Sequence, residues 1–358
     1  MSKPQNPSAL DEKLLQALSL VNYPGFDTSI VEAGLVERAT LDPGGKAVVV
    51  LRPINAPDDV RQSLEDQVAS VVGALEGVTE LSLTLPEPPK PQADKPQGPR
   101  PISGVKAVVP VASGKGGVGK STVAVNLALA LSEKGLRVGL LDLDLYGPSI
   151  PMMMGLANAK PQGEGDKLLP LEAWGIKVLS IGFLVPADAA LIWRGPMVAK
   201  AVKQLLHEVD WGEIDVLVLD LPPGTGDIQI SLASETPIDG AVVVATPQDV
   251  ALADVIKAVD MFKHVGARIL GVVENMSYFV CPDCGGRHEI FGHGSVSPLA
   301  RNLGVPFLGE IPLDPAVPGL EDNGQSVLAG APASAEAYRS LADQVMQGLG
   351  LAGGGKNA

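Results

Sequence analysis

Residues 107–122 read AVVPVASGKGGVGKST, and the fold is decided there. Ala107 to Ala112 form a short apolar run rich in β-branched residues, the composition of a buried strand. The run ends in a glycine-rich turn and opens directly into TVAVNLALALSEKG, whose apolar spacing is helical. The turn fits G-x-x-x-x-G-K-[ST] as Gly114, Gly119, Lys120 and Ser121. Phosphate binding explains each residue type. Gly114, Gly116, Gly117 and Gly119, with Val118 between them, let the backbone curl so that successive N–H groups point at phosphate oxygens. A helix starting near Ser121 adds its positive N-terminal end. Lys120 reaches the β- and γ-phosphates, Ser121 holds Mg²⁺ and Thr122 sits near the α-phosphate. The stretch specifies a nucleotide-binding site.

Outward from this loop, strand and helix patterns alternate to the end of the chain. RVGLLDLD (137–144), IKVLSIG, IDVLVLDL, GAVVVAT, RILGVVENM and PFLGEIP read as strands. PMVAKAVKQLLHEV and DVALADVIKAVDMFKHVG read as helices between them. Nearly every strand is apolar on both faces, so the expected class is α/β, a mostly parallel sheet with helices on both sides. Ligands of such sheets lie beyond the carboxyl ends of the strands.

Ahead of the loop, residues 1–85 read as a small α+β domain, with helices in ALDEKLLQALSLV and PDDVRQSLEDQVASVVGAL and strands in KAVVVLRPI and VTELSLTL. Residues 86–104, PEPPKPQADKPQGPRPISG, are proline-rich and polar, which marks a linker. Residues 105–358 form the nucleotide domain. The length of 358 residues suits two domains. No run of about 18 apolar residues is present, so no membrane span is expected. The start, MSKPQNPSALDEK, carries no apolar signal core, and the expected location is cytoplasmic. A net charge of −14 disfavours nucleic acid and anionic lipid as partners. The only two cysteines stand two residues apart, which is no disulfide framework.

Three further clusters carry chemistry. Asp142 and Asp144 end an apolar strand, where carboxylates are costly to desolvate without a partner. A Mg-nucleotide supplies one, with Asp142 supporting the Mg²⁺ shell. Asp220 ends VLVLD, the pattern of a strand whose carboxylate holds Mg²⁺ through water. The LPPGTGD that follows suits a switch loop sensing γ-phosphate. Cys281-Pro282-Asp283-Cys284 offers two thiolates, half of a four-ligand site. His288 and His293 give a C-x2-C-x3-H-x4-H spacing close to a zinc knuckle. A second copy of the chain across a two-fold axis would instead supply two more thiolates. A bare redox dithiol is the third option.

Lys115, directly after the first glycine, is not needed by a plain P-loop. It resembles the deviant P-loop class of the nitrogenase iron protein, the Min and Par ATPases and the arsenite-pump ATPase. That resemblance implies a lysine acting across a dimer interface, Asp144 orienting the attacking water, and Asn275 reading the adenine edge. KGGVGKST, DLDLYGPS, WRGPM (193–197), DLPPGTGD, ENMSYFVCPDCG and IFGHGS together resemble the Mrp/ApbC family of iron–sulfur cluster carrier ATPases. The resemblance implies a homodimer bridging a 4Fe–4S cluster through Cys281 and Cys284 of each subunit. Recipient apoproteins and cluster-assembly factors would be its partners, with transfer coupled to ATP hydrolysis. YPGFDTSIVEAGLVERA resembles the small MIP18-type domain of assembly factors, without the reactive cysteine often found there. The competing readings are a Min- or Par-like positioning ATPase and a zinc-stabilised nucleotide switch. The tail EAYRSLADQVMQGLGLAGGGKNA lacks the basic amphipathic face a Min-like protein needs.

Overall fold

The computed structural model describes residues 11–22, 28–54, 56, 58–86, 98–145, 147–164, 167–184 and 195–351, apart from the side chains of residues 58, 164, 196 and 249–252. Tyr146 of DLDLYGPS, and Trp193 and Arg194 of WRGPM, lie outside the described residues, as do 23–27 of the MIP18-like stretch and 352–358 of the tail. The chain divides into two compact units, residues 1–96 and 97–358.

In the first unit, helix α1 (Glu12–Leu18) is followed by strands β1 (Val36–Leu41) and β2 (Lys46–Leu51), helix α2 (Asp58–Gly73) and strand β3 (Glu80–Thr84). Asp11 caps α1 by accepting hydrogen bonds from the Lys13 and Leu14 amides. The strands order β1-β2-β3, with β1 antiparallel and β3 parallel to β2. Leu14, Leu18, Ile30, Val49, Leu51 and Leu64 close its core.

The second unit opens with β4 (Val105–Ser113), α3 (Lys120–Glu133), β5 (Val138–Asp142) and α4 (Ile150–Met153). A two-residue ladder of β6 (Gly163–Glu164) and β7 (Lys167–Leu168) precedes β8 (Leu171–Ala173) and β9 (Ile176–Ser180). Then come α5 (Gly195–His207), β10 (Ile214–Asp220), α6 (Asp227–Glu235), β11 (Ala241–Ala245), α7 (Asp249–His264) and β12 (Ile269–Glu274). The chain finishes with β13 (Phe279–Val280), β14 (Arg287–His288), α8 (Val296–Leu303), β15 (Phe307–Glu310), α9 (Ala316–Asp322), α10 (Val327–Gly330) and α11 (Pro332–Leu349).

Eight strands form one sheet in the order β15-β12-β11-β4-β10-β5-β9-β8. All its pairings are parallel except that of β8 with β9. Side chains alternate along each strand, so Val109, Val111, Leu140 and Val218 face α3 and α11 in one apolar layer. Val108, Leu141, Leu217 and Leu219 face α5, α7 and α8 in the other. Each fully buried Val or Leu stabilises the fold by roughly 1.5–3 kcal/mol, and the central strands carry little else. The α/β class expected from the pattern is therefore the observed one.

Residues 98–104 differ from their reading as linker. Ile102 is buried in the second apolar layer, the Arg100 amide donates to the Glu235 carbonyl at 3.1 Å, and the Ile214 amide donates to the Gly104 carbonyl at 2.9 Å. Pro and Gly content marked them as linker, but one isoleucine and two backbone bonds hold them on the nucleotide unit.

Candidate nucleotide and metal-binding sites

The carboxyl ends of β4, β5 and β10 meet at one edge of the sheet. In register, Asp220 stands opposite Asp142 on one side and Val111 on the other. The loop after β4 rises over this edge and enters α3 at Lys120. Two glycines there are fixed by space. A β-carbon on Gly114 would fall 2.2 Å from the Asp254 carbonyl oxygen of α7. Gly119 has φ +78°, and a β-carbon on it would meet Asn275 Nδ2 at 2.3 Å.

A cavity of about 570 Å³ opens over the loop, lined by Lys115, Lys120, Ser121, Thr122 and Asp144 and closed at its far side by Glu321 and Asp322. Lys120 is 6% exposed. Its Nζ lies 2.5 Å from Asp220 Oδ1, 3.2 Å from Ser121 Oγ and 3.6 Å from Asp144 Oδ2. Asp220 is fully buried, and its Oδ2 has no hydrogen-bond partner among the described residues. Burial pushes the Asp220 carboxyl up, while the Lys120 ammonium beside it pulls the other way.

Asp142 departs from its expected place at Mg²⁺. Its Oδ1 accepts from the Asp144 amide at 2.9 Å and its Oδ2 from Ser180 Oγ at 2.8 Å, so both oxygens are engaged below the cavity. Asp142 therefore sets the backbone at Asp144 and does not line the cavity. Burial first, and the Asp220 carboxylate second, push its carboxyl up to about 7.

Lys115 points away from its own loop. Its Nζ lies 3.3 Å from Gln248 Oε1 at the start of α7, while Ser113 Oγ donates to its carbonyl at 2.9 Å. Asn275, expected at the adenine edge, is 4% exposed and lies under the loop, where Nδ2 donates to the Val118 carbonyl at 2.8 Å. Sequence reasoning missed two residues here. Gln229, 1% exposed, ties the 222–226 turn together: Nε2 donates to the Pro222 and Gly224 carbonyls, and Oε1 accepts from the Gly226 amide. Glu321 on α9 accepts from Thr122 Oγ1 at 2.8 Å and from Asn126 Nδ2 at 3.0 Å. Neither carries a motif; Gln229 alone had a local signal, an N3 glutamine after the turn.

The cysteines lie at the tip of a hairpin. β13 and β14 pair antiparallel, Phe279 with His288 and Val280 with Arg287. The Cys281 amide donates to the Gly286 carbonyl and the Gly285 amide to the Cys281 carbonyl, both at 2.9 Å, with Gly285 at φ +68°. Cys284 is exposed and Cys281 partly so. The Cys284 amide, then that of Asp283, hold the Cys281 thiol below its ordinary value.

His293 turns away from them. Its Nε2 lies 3.0 Å from Glu310 Oε1 and 2.7 Å from Arg287 Nη2, and its Nδ1 lies 3.4 Å from Glu289 Oε1. Among the described residues, the one set of three possible metal ligands is Glu274, His293 and Glu310, which includes neither cysteine. The carboxylates of that set are already engaged: Arg287 donates to Glu310 at 3.1 Å, and Glu274 accepts from Ser277 Oγ and the Gly294 and Val296 amides. The intrachain C-x2-C-x3-H-x4-H site is not assembled.

A ParA family described as "NUBPL iron-transfer P-loop NTPase" matches residues 104–346. The chain belongs to this family. It is 46% identical over 312 residues to an iron-sulfur cluster carrier protein of Aquifex aeolicus, covering 80% of this chain and 86% of that one. It is 45% identical over 338 residues to the carrier protein of Deinococcus radiodurans, covering 93% and 94%. A nucleotide-binding protein from Archaeoglobus fulgidus, solved in complex with ADP, superposes with a TM-score of 0.56 at 42% identity, over 62% of this chain and 87% of that one. The P-loop and sheet edge described above are thus those of an iron-transfer P-loop NTPase. The Min/Par reading is not favoured beside relatives that carry the carrier name. Among the described residues no helix is long and apolar enough to cross a membrane.

Proposed function

We propose that this chain is an ATP-dependent iron–sulfur cluster carrier that holds its cluster between two copies of itself and hands it to recipient apoproteins. One observation carries the dimeric half of that reading. Two thiols stand at the tip of a hairpin, and among the described residues no set of three ligand atoms close enough to share one metal ion includes either of them. Four ligands are what iron–sulfur clusters require, and a two-fold axis through the hairpin supplies the missing pair. The cluster, 4Fe–4S by resemblance, is cargo.

The nucleotide half follows from the sheet edge. Loop amides and the α3 N-terminus receive the phosphates, and Lys120 leaves Asp220 for their β/γ oxygens. Hard oxygen donors fit Mg²⁺: Asp220 Oδ2, buried without a partner among the described residues, and Ser121 Oγ, which shares the Lys120 ammonium with Asp220. Mg²⁺ held there supplies charge neutralisation to the phosphates. Asp144 orients the attacking water. Lys115, directed out of its own loop, serves the partner's nucleotide. The 222–226 turn, tied by Gln229, links the phosphate end to the rest of the protein. The front unit serves delivery, consistent with its MIP18-type resemblance.

Anaerobic reconstitution with iron and sulfide, followed by absorption spectra and metal analysis, tests this. We expect one cluster per two chains, lost in Cys281→Ser and in Cys284→Ser and retained when His288 and His293 are both replaced by Ala. One zinc per chain that disappears with the histidines would instead support the zinc-stabilised switch.

A further inference from the structure

Glu321 is a buried carboxyl group at the nucleotide cavity that none of the steps above uses. It lies on α9, 8% exposed, 199 residues after the loop threonine it touches. Thr122 Oγ1 stands 2.8 Å from Oε2, and Asn126 Nδ2 stands 3.0 Å from Oε1 and 2.8 Å from the Thr122 carbonyl. Asn126 Oδ1 is buried with no partner among the described residues.

With Glu321 ionised, both its oxygens accept, one from the Asn126 side-chain amide and one from the Thr122 hydroxyl, while the Thr122 carbonyl also takes the helical amide of residue 126. The Thr122 hydroxyl then spends its single hydrogen on Glu321. It cannot donate to an α-phosphate at the same time, and the carboxylate would lie near that phosphate's charge. Protonation of Glu321 removes both obstacles. Oε2–H donates to Thr122 Oγ1 over the same 2.8 Å, Oε1 still accepts from Asn126, and the threonine hydrogen is released toward the cavity.

We propose that Glu321 is a positioning residue of the nucleotide site that takes up one proton from solvent when nucleotide binds, so that Thr122 can donate to the α-phosphate. This rests on the nucleotide reading of the loop. The surroundings favour the neutral form. Burial pushes the Glu321 carboxyl up to about 7, against the pull of its hydrogen bonds to Thr122 and Asn126. Asp322 on the same helix adds negative charge, and Tyr338 of α11 faces it as a neutral phenol. α4 and α10, which also pack on α9, carry no titratable residue. Lys120, two residues before Thr122 in the first turn of α3, is held by Asp220 and Asp144. An arriving phosphate adds further negative charge.

The sign follows. A carboxyl raised to about 7 in the free protein and higher in the complex gives no pH dependence below 7. Above 7 the affinity falls by up to about tenfold per pH unit, until the carboxyl of the complex also ionises. The experiment is Mg-ADP and Mg-ATP titration calorimetry from pH 6 to 9, in buffers of differing ionisation enthalpy, on wild type and Glu321→Gln. The glutamine amide donates permanently to Thr122, as the protonated acid would. We expect equal affinities at pH 6, wild type weaker by roughly tenfold at pH 8.5, and proton uptake in wild type that is absent from the variant. Glu321→Leu, which needs no partner to pack, serves the same comparison if the glutamine variant does not fold. Parallel pH profiles and equal proton uptake in wild type and variant would overturn the proposal. No binding by wild type at any pH would overturn the nucleotide reading itself, and the proposal with it.

Discussion

Asn275 Nδ2 donates to the Val118 carbonyl at 2.8 Å, and the same nitrogen occupies the space that a β-carbon on Gly119 would enter. The residue expected at the adenine edge thus braces the phosphate loop from below. Asn275→Ala leaves a buried carbonyl unpaired, at about 1 kcal/mol. We expect ATP and GTP to weaken alike, by roughly fivefold, with the protein still folded. Loss of discrimination between the two bases, measured by competition, would restore the adenine-reading role. Gly119→Ala, strained at φ +78° and clashing with Asn275, should abolish binding of both.

A pH signature is expected from Asp142 in the nucleotide-free protein. Its carboxyl is raised to about 7 in the fold, so the folded state keeps a proton that the unfolded chain has released. Stability from this group therefore falls as pH rises from about 4 to about 7 and is level above, with a slope on the order of 1.4 kcal/mol per unit. Asp142→Asn should flatten that slope. Asparagine can still accept from the Asp144 amide and can donate to Ser180. Urea unfolding at pH 5 and pH 7.5 reads the effect, and an unchanged slope would count against the assignment.

Lys115→Ala should bind nucleotide normally, because the Lys115 ammonium contacts Gln248 and not its own loop, yet fail to hydrolyse it. Asp144→Ala should fail for the opposite reason, losing the water-orienting group in cis. Mixing the two gives heterodimers in which one site has both groups intact. Partial recovery of phosphate release is the expected result. Verified heterodimers without recovery would place both groups in the same chain's site.

Removing residues 1–96 should leave nucleotide and cluster binding intact, since every residue named for either lies in the second unit. Delivery to recipients should suffer. The cut matters: removing eight residues more takes away Ile102 and its burial, at roughly 1.5–3 kcal/mol. A fragment starting at 105 should melt earlier than one starting at 97, and equal melting temperatures would contradict the packing described.

What the sequence revealed was chemistry written in contiguous residues. Gly114 to Thr122 form one turn, and Asp144 and Asp220 each follow an apolar strand, so strand and motif announce each other. Glu321 had no such context. It reaches Thr122 only because α9 folds back over α3, and a glutamate in a short helix carries no periodic signal of that approach. Asp142 shows a different gap. Two aspartates at alternate positions read as a pair on one face, but the strand ends at Asp142, and the turn after it carries Asp144 to the cavity while Asp142 stays bonded to the Asp144 amide and Ser180. The antiparallel edge strand β8, three residues long, is too short for any periodicity to register.

The contact between Lys120 and Asp220 gives the phosphate site an internal counterion. On the function proposed above, loading is an exchange and not an addition: the phosphates would displace a carboxylate from the lysine, and that carboxylate would be freed to face Mg²⁺. A measured affinity for Mg-nucleotide is a difference between two sets of contacts, smaller than the contacts in the complex would suggest. Nucleotide without its metal must strand Asp220 beside the phosphates. Metal-free nucleotide should therefore be the poorer ligand by more than its own change in charge explains, and Asp220→Asn should narrow that gap.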